Sequence, residues 1–125
     1  MHLLNSVNLT GRLTKDPQVS YTPSGVPVAS FTLAVNRIFK RENEENTDFI
    51  RCVCVNKTAE IVGKSLRKGS FIAVEGRIQS RTYEKDGKRE YITEVFITQL
   101  HFLEKKSTDN GHNPPPPNYQ NQYNR

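Results

Sequence analysis

Aromatic side chains recur beside cations in this 125-residue chain: Phe39 between Arg37 and Lys40, Phe49 beside Arg51, and Tyr83 close to Arg77, Arg81 and Lys85. A ring offers a face on which a nucleobase can stack, worth ~1–3 kcal/mol per base, while neighbouring cations follow the phosphates. That combination is the chemistry of single-stranded nucleic acid binding. Taken singly each ring is weak evidence, since Phe49 reads equally as a core residue at a strand start and Phe39 as a loop staple. Their recurrence beside cations at solvent-facing positions is what points to a groove.

Catalysis has no comparable address. The chain carries no Walker loop, nucleophile elbow or His-Glu-x-x-His pattern, so no catalytic residue and no cofactor is assigned. Cys52 and Cys54 lie two apart, but His2, His101 and His112 are scattered and no second ligand pair follows. No metal site is assigned, and the cysteines read as small buried apolar residues on one strand face, badly placed for a bridge to each other. The acidic group Glu42, Glu44, Glu45 and Asp48 resembles a Mg²⁺ site only in composition. It stands among Lys40, Arg41 and asparagines and reads as solvated surface.

The elements that must position these groups follow from the hydrophobic period. Asn5 to Leu13 alternates Val7, Leu9 and Leu13 against polar residues, with Gly11 at a bulge or bend, and reads as a first strand. Asp16-Pro17 and Thr22-Pro23-Ser24-Gly25 are turn signals; Val28 to Arg37 then forms a second strand with Ala29, Phe31, Leu33 and Val35 on one face. Lys40 to Thr47 is an exposed loop. The third strand sets Phe49, Arg51, Val53, Val55 and Lys57 against Ile50, Cys52 and Cys54. Thr58 is the expected N-cap of a short helix, with Glu60 in its first turn, Ala59, Val62 and Leu66 on its buried side and Gly69 as its stop. Ser70 to Tyr83 is a long fourth strand that Gly76 can kink, Asp86-Gly87 turns the chain back, and Glu90 to Phe102 is the fifth.

Three strands, a helix and a hairpin is the order of the OB-fold, an all-β five-stranded Greek-key barrel with its short helix between strands three and four. Periodicity alone leaves an SH3-like or other small barrel open. The expected domain is 1–106, because residues 107–125 hold only Tyr119 and Tyr123 as apolar residues and read as a disordered Pro/Asn/Gln-rich tail. The formal net charge is +5, carried by the globular part, which suits a polyanionic partner. No apolar run is long enough for a membrane span and no secretory signal opens the chain, so a cytoplasmic, soluble protein is expected.

Several long motifs also carry a resemblance. Gly11-Arg12-Leu13-Thr14-Lys15-Asp16-Pro17, Tyr21-Thr22-Pro23-Ser24-Gly25, Phe31-Thr32-Leu33-Ala34-Val35-Asn36-Arg37, Phe49-Ile50-Arg51-Cys52-Val53, Leu66-Arg67-Lys68-Gly69-Ser70, Val74 to Tyr83, and Tyr91-Ile92-Thr93-Glu94-Val95 resemble the bacterial single-stranded DNA-binding protein (SSB) family, in order and spacing, from about Leu4 to Leu103. The resemblance implies an OB-fold protomer of a homotetramer with single-stranded DNA wrapped over its surface. It places stacking aromatics at Phe39, Phe49 and Tyr83, and a fourth stacking position, aromatic in many members, at Val55. Arg37, Lys40, Arg51, Lys57, Arg77, Arg81 and Lys85 are the candidate phosphate contacts. Long-tailed members close on an acidic tip with a Pro-Phe pair that recruits replication and repair proteins. This chain ends Asn124-Arg125 with one tail acid, Asp109, so that docking signal is absent: either this is a short form or the chain is cut before the tip, and the finished low-complexity run after the prolines favours the short form.

The expected function is sequence-independent binding that coats and protects single-stranded DNA in replication, recombination, repair or uptake. Two other classes remain on the same fold. One is an adaptor resembling primosomal proteins that binds a helicase or recombinase and touches DNA weakly, favoured by Val55 and the absence of Trp. The other is a nuclease, which would show metal-dependent loss of substrate.

Overall fold

The alternating segments become six strands and one helix among the described residues, which are 3–104 of the computed structural model. In chain order these are β1 (Val7–Leu13), β2 (Gln18–Tyr21), β3 (Pro27–Asn36), β4 (Thr47–Val55), α1 (Asn56–Ser65), β5 (Phe71–Lys85) and β6 (Lys88–Phe102). The expectation of a disordered tail over 107–125 lies outside the described residues.

The sheet runs β1-β5-β6-β4-β3-β2 and closes because β1 also pairs with β3, at Arg12 opposite Ala34 and Leu13 opposite Leu33. At the opposite seam β4 meets β6 in parallel through Cys52 and Val53 against Val95 and Phe96. The result is a closed five-stranded barrel with one short helix between β4 and β5, the OB-fold arrangement. Closure draws backbones together at two glycines. A Cβ on Gly11 would collide with the Ala34 carbonyl, and one on Gly76 with the Phe96 carbonyl, where the β5–β6 register shifts.

Inward-facing residues of each strand fill the barrel: Leu13, Phe31, Leu33, Cys52, Cys54, Ile72, Val74, Val95 and Ile97 are buried, and Ala59, Val62 and Leu66 from the α1 segment plug one end. Each large side chain so buried contributes roughly 1.5–3 kcal/mol relative to exposure. Cys52 and Cys54 are both free and buried, and desolvation pushes their thiols up to about 12 and about 11.

Three local expectations are corrected. A sixth strand, β2, pairs with the first half of β3; all four of its residues are exposed, so no alternation marked it between the two turn signals. The helix does not begin behind a Thr58 cap. β4 runs straight into α1, with Val55 at the N-cap, no side-chain cap bond and Asn56 at a φ of 59°, so Glu60 falls outside the first turn. Gly69 does not stop the helix either. Leu66 is already extended, and Gly69, at a φ of 90°, serves the turn into β5, with Arg67 bonding the Gly63 and Leu66 carbonyls behind it.

Candidate nucleic-acid interface

Strand alternation puts Phe49, Arg51, Val53 and Val55 on the outer face of β4, opposite Ala34, Thr32, Ser30 and Val28 of β3. The β4–β6 seam extends that face to Phe96, and β6 extends it to Arg77, Gln79 and Arg81 of β5. Together they form an open groove of about 750 Å³ whose apolar floor is Val28, Val53, Val55 and Phe96, walled by Arg51 and Arg81, with β2 along one rim.

Of the predicted phosphate contacts, Arg51 and Arg81 line this groove. Arg77 stands beside it, its guanidinium carbon 4.5 Å from the centre of the Phe96 ring. Lys85 ends β5 at the far hairpin, and Lys40 sits in the exposed loop 37–46. Arg37 closes the base of that loop in a two-pronged pair with Asp48, Nε to Oδ2 at 2.9 Å and Nη2 to Oδ1 at 2.7 Å. The hydrogen bond from Arg37 holds the Asp48 carboxyl below the usual carboxylate range. Lys57 is misplaced by the strand reading: it falls on the first turn of α1, exposed and away from the groove lining, because the helix starts at Asn56.

The stacking candidates all reach solvent. Phe49 is 60% exposed and Phe39, on the rising side of its loop, 84%; Tyr83 is also exposed, on the outer face of the arm formed by the ends of β5 and β6. The strand-start core reading of Phe49 is therefore set aside, as is the loop staple reading of Phe39. Val55 lies on the groove floor, where a base would meet a branched aliphatic instead of a ring.

Sequence reasoning missed one residue at the centre. Glu94, 2% exposed, lies under the groove wall. Its Oε1 accepts from Arg51 Nε at 3.1 Å, and its Oε2 from Arg81 Nε at 3.1 Å and Gln79 Nε2 at 3.0 Å. Burial pushes this carboxyl up, but the three hydrogen bonds, with the charge of Arg81, outweigh it and leave it below its ordinary value. A signal existed. A two-residue turn at Asp86-Gly87 pairs Lys85 with Lys88 and, counting back, Gln79 with Glu94, so a carboxylate on the groove face follows from the hairpin register.

Other candidates dissolve in the geometry. Asp48 is committed to Arg37 and Glu44 approaches Arg41 at 3.9 Å, which disperses the acidic loop. Among the described residues no group of three His, Cys, Asp or Glu could hold a metal ion, and no helix is long and apolar enough to cross a membrane.

Comparison with known proteins agrees with this architecture. The chain is 53% identical over 111 residues to single-stranded DNA-binding protein 3 of Listeria innocua, covering 87% of this chain and 69% of that protein. It is 52% identical over 124 residues to single-stranded DNA-binding protein 2 of Listeria monocytogenes, covering 98% and 77%. With the single-stranded DNA-binding protein of Bacillus cereus it shares 53% over 107 residues, covering 84% and 63%. Residues 4–103 match the profile of the single-strand binding protein family, and with the barrel and groove in place the chain belongs to that family.

Proposed function

We propose that this protein binds single-stranded DNA with little regard to sequence and acts by binding alone, coating and protecting single strands in replication, recombination, repair or uptake. One observation carries the reading: a groove with an apolar floor and two arginines on its wall, with the exposed rings of Phe49 and Tyr83 on the same strand faces as those arginines and Phe39 exposed on the loop before β4. Bases are stacked and phosphates neutralised without any reading of base edges. Phe39, Phe49 and Tyr83 are the stacking residues; Arg51, Arg81 and Arg77 carry phosphate contacts, with Lys40 and Lys85 on the loop and arm and Arg37 in reserve behind Asp48. The relatives in Listeria and Bacillus, all called single-stranded DNA-binding proteins, support this assignment. A place on the nucleoid in the cytoplasm goes with it.

The reading includes a homotetramer. Tyr91 has the sheet parity of core residues yet is 71% exposed, and Ile78, which pairs with Val95 further along the same face, is half-exposed, apolar surface that a second copy can cover. Val55, aliphatic on the groove floor, is what favours the weaker-binding adaptor. Fluorescence anisotropy of labelled oligo(dT) against its duplex at two salt concentrations decides between them. Tight, strand-selective binding with a salt slope of about −0.7 per phosphate contact is expected, whereas weak or duplex-indifferent binding supports the adaptor. Light scattering at micromolar concentration is expected to give four times the 14.3 kDa chain mass, and a monomer mass refutes the tetramer.

A further inference from the structure

We propose that Glu94 is a positioning residue for the bound strand: from beneath the groove it holds Arg51 and Arg81 by their Nε atoms alone, keeping both guanidinium ends open to phosphates. This rests on the proposed binding of single-stranded DNA and goes further, because it makes a buried acid an aid to binding a polyanion.

The geometry carries it. Glu94 comes from β6, Arg51 from β4 and Arg81 from β5, so one carboxylate gathers two cations from different strands. Both contacts run through Nε, and among the described residues the Nη groups of Arg51 and Arg81 have no hydrogen-bond partner. Both arginine side chains remain nearly half-exposed. The Arg37–Asp48 pair is the contrast, since there the acid grips Nε and Nη2 together and occupies the binding edge. Gln79 takes up the remaining demand of Oε2, so the buried carboxylate is satisfied from three sides.

Stability alone is a poor reason for such a group. A buried ion pair is often matched or bettered by apolar residues of similar volume, and Glu94 sits between Ile92 and Phe96 on the same strand face, where an apolar side chain has apolar neighbours. What the acid supplies is order. An unrestrained arginine has a large rotamer entropy to lose on gripping a phosphate, and two close guanidinium groups repel each other. Glu94 settles both costs before DNA arrives, which is preorganisation.

The test turns on sign. Glu94→Gln and Asp48→Asn each raise the net charge by one, so a protein whose groove acts only through its overall field binds oligo(dT) more tightly in both variants. Positioning predicts opposite outcomes. Asp48→Asn frees Arg37 and binds at least as tightly as the wild type. Glu94→Gln binds about tenfold more weakly, the equivalent of one charge-assisted hydrogen bond, with the salt slope shallower by about 0.7 for each phosphate no longer neutralised. Glu94→Asp, which restores the carboxylate one methylene short, regains part of the affinity. Equal or tighter binding by Glu94→Gln overturns the proposal. Should Glu94→Gln fail to give a cooperative melt, Glu94→Asp decides: it keeps the charge and shortens the reach to both Nε atoms, so weaker binding than the wild type supports positioning and wild-type affinity overturns it. Failure of the wild type itself to bind oligo(dT) overturns instead the functional reading on which the proposal stands.

Discussion

Phe49 and Phe31 are both strand phenylalanines, and the barrel assigns them opposite duties that truncation can separate. Phe31 is 5% exposed inside the barrel, whereas Phe49 lies outside on β4 with 60% of its surface free. Phe49→Ala therefore removes well under half of a phenylalanine's normal burial, about 1 kcal/mol of stability at ~25 cal/mol per Å². For a folded unit of this size that lowers the melting temperature by about 4–8 °C. Phe31→Ala leaves a cavity in a packed core and costs about 3–5 kcal/mol. Binding should move the other way. Loss of one stacking face costs about 1–3 kcal/mol, so Phe49→Ala should raise the Kd for oligo(dT) by about 5- to 150-fold, with an unchanged salt slope because a ring neutralises no phosphate. Folded Phe31→Ala, titrated well below its melting temperature, should keep wild-type affinity. Paired melts and anisotropy titrations read both effects. An unchanged Kd for Phe49→Ala refutes its place in the interface, and a collapse of its melting temperature refutes the assignment of the ring to the outside.

Gly76→Ala drives a Cβ into the Phe96 carbonyl where β5 and β6 change register, so a loss of at least ~2 kcal/mol is expected in a denaturant melt, and wild-type stability contradicts the close approach. The thiols of Cys52 and Cys54, pushed to about 12 and about 11, should ignore an aromatic disulfide reagent at pH 8 until the protein is unfolded; rapid native labelling refutes their burial. The same raised values give a pH dependence. Stability is fully present below the unfolded thiol value of 9.0 and is lost as pH rises from there towards the folded values, so Cys52→Ala should flatten the alkaline fall in melting temperature. Deleting residues 107–125 removes only Tyr119 and Tyr123 of the apolar residues and should leave the melting temperature unchanged, which differential scanning calorimetry checks.

Much of the fold and half of the interface were legible in the residues themselves. Period-two alternation placed Phe49 and Arg51 on one face of β4 with Cys52 and Cys54 on the other, and the structure keeps both assignments. The Asp86-Gly87 turn announced the β5–β6 hairpin and contained its register, down to Gln79 opposite Glu94. Lys57 shows where alternation fails as a guide. It continued the strand pattern, but the chain had already turned into α1 at Asn56, a change of backbone that side-chain period does not record.

Tertiary structure decided the rest, because alternation says which side chains share a face and not what covers that face. Val95 and Tyr91 share a parity on β6, yet Val95 is buried where the strand crosses the barrel and Tyr91 is exposed where the strand has run past it. β2, with four exposed residues, exists because β3 offers it an unpaired edge. The groove itself depends on the parallel seam of β4 with β6, which brings Arg51 to Glu94 across 43 residues of sequence. Local pattern chose the chemistry of each strand face. Barrel closure, a matter of contacts distant in sequence, chose which faces meet and so where two arginines and a buried acid come together.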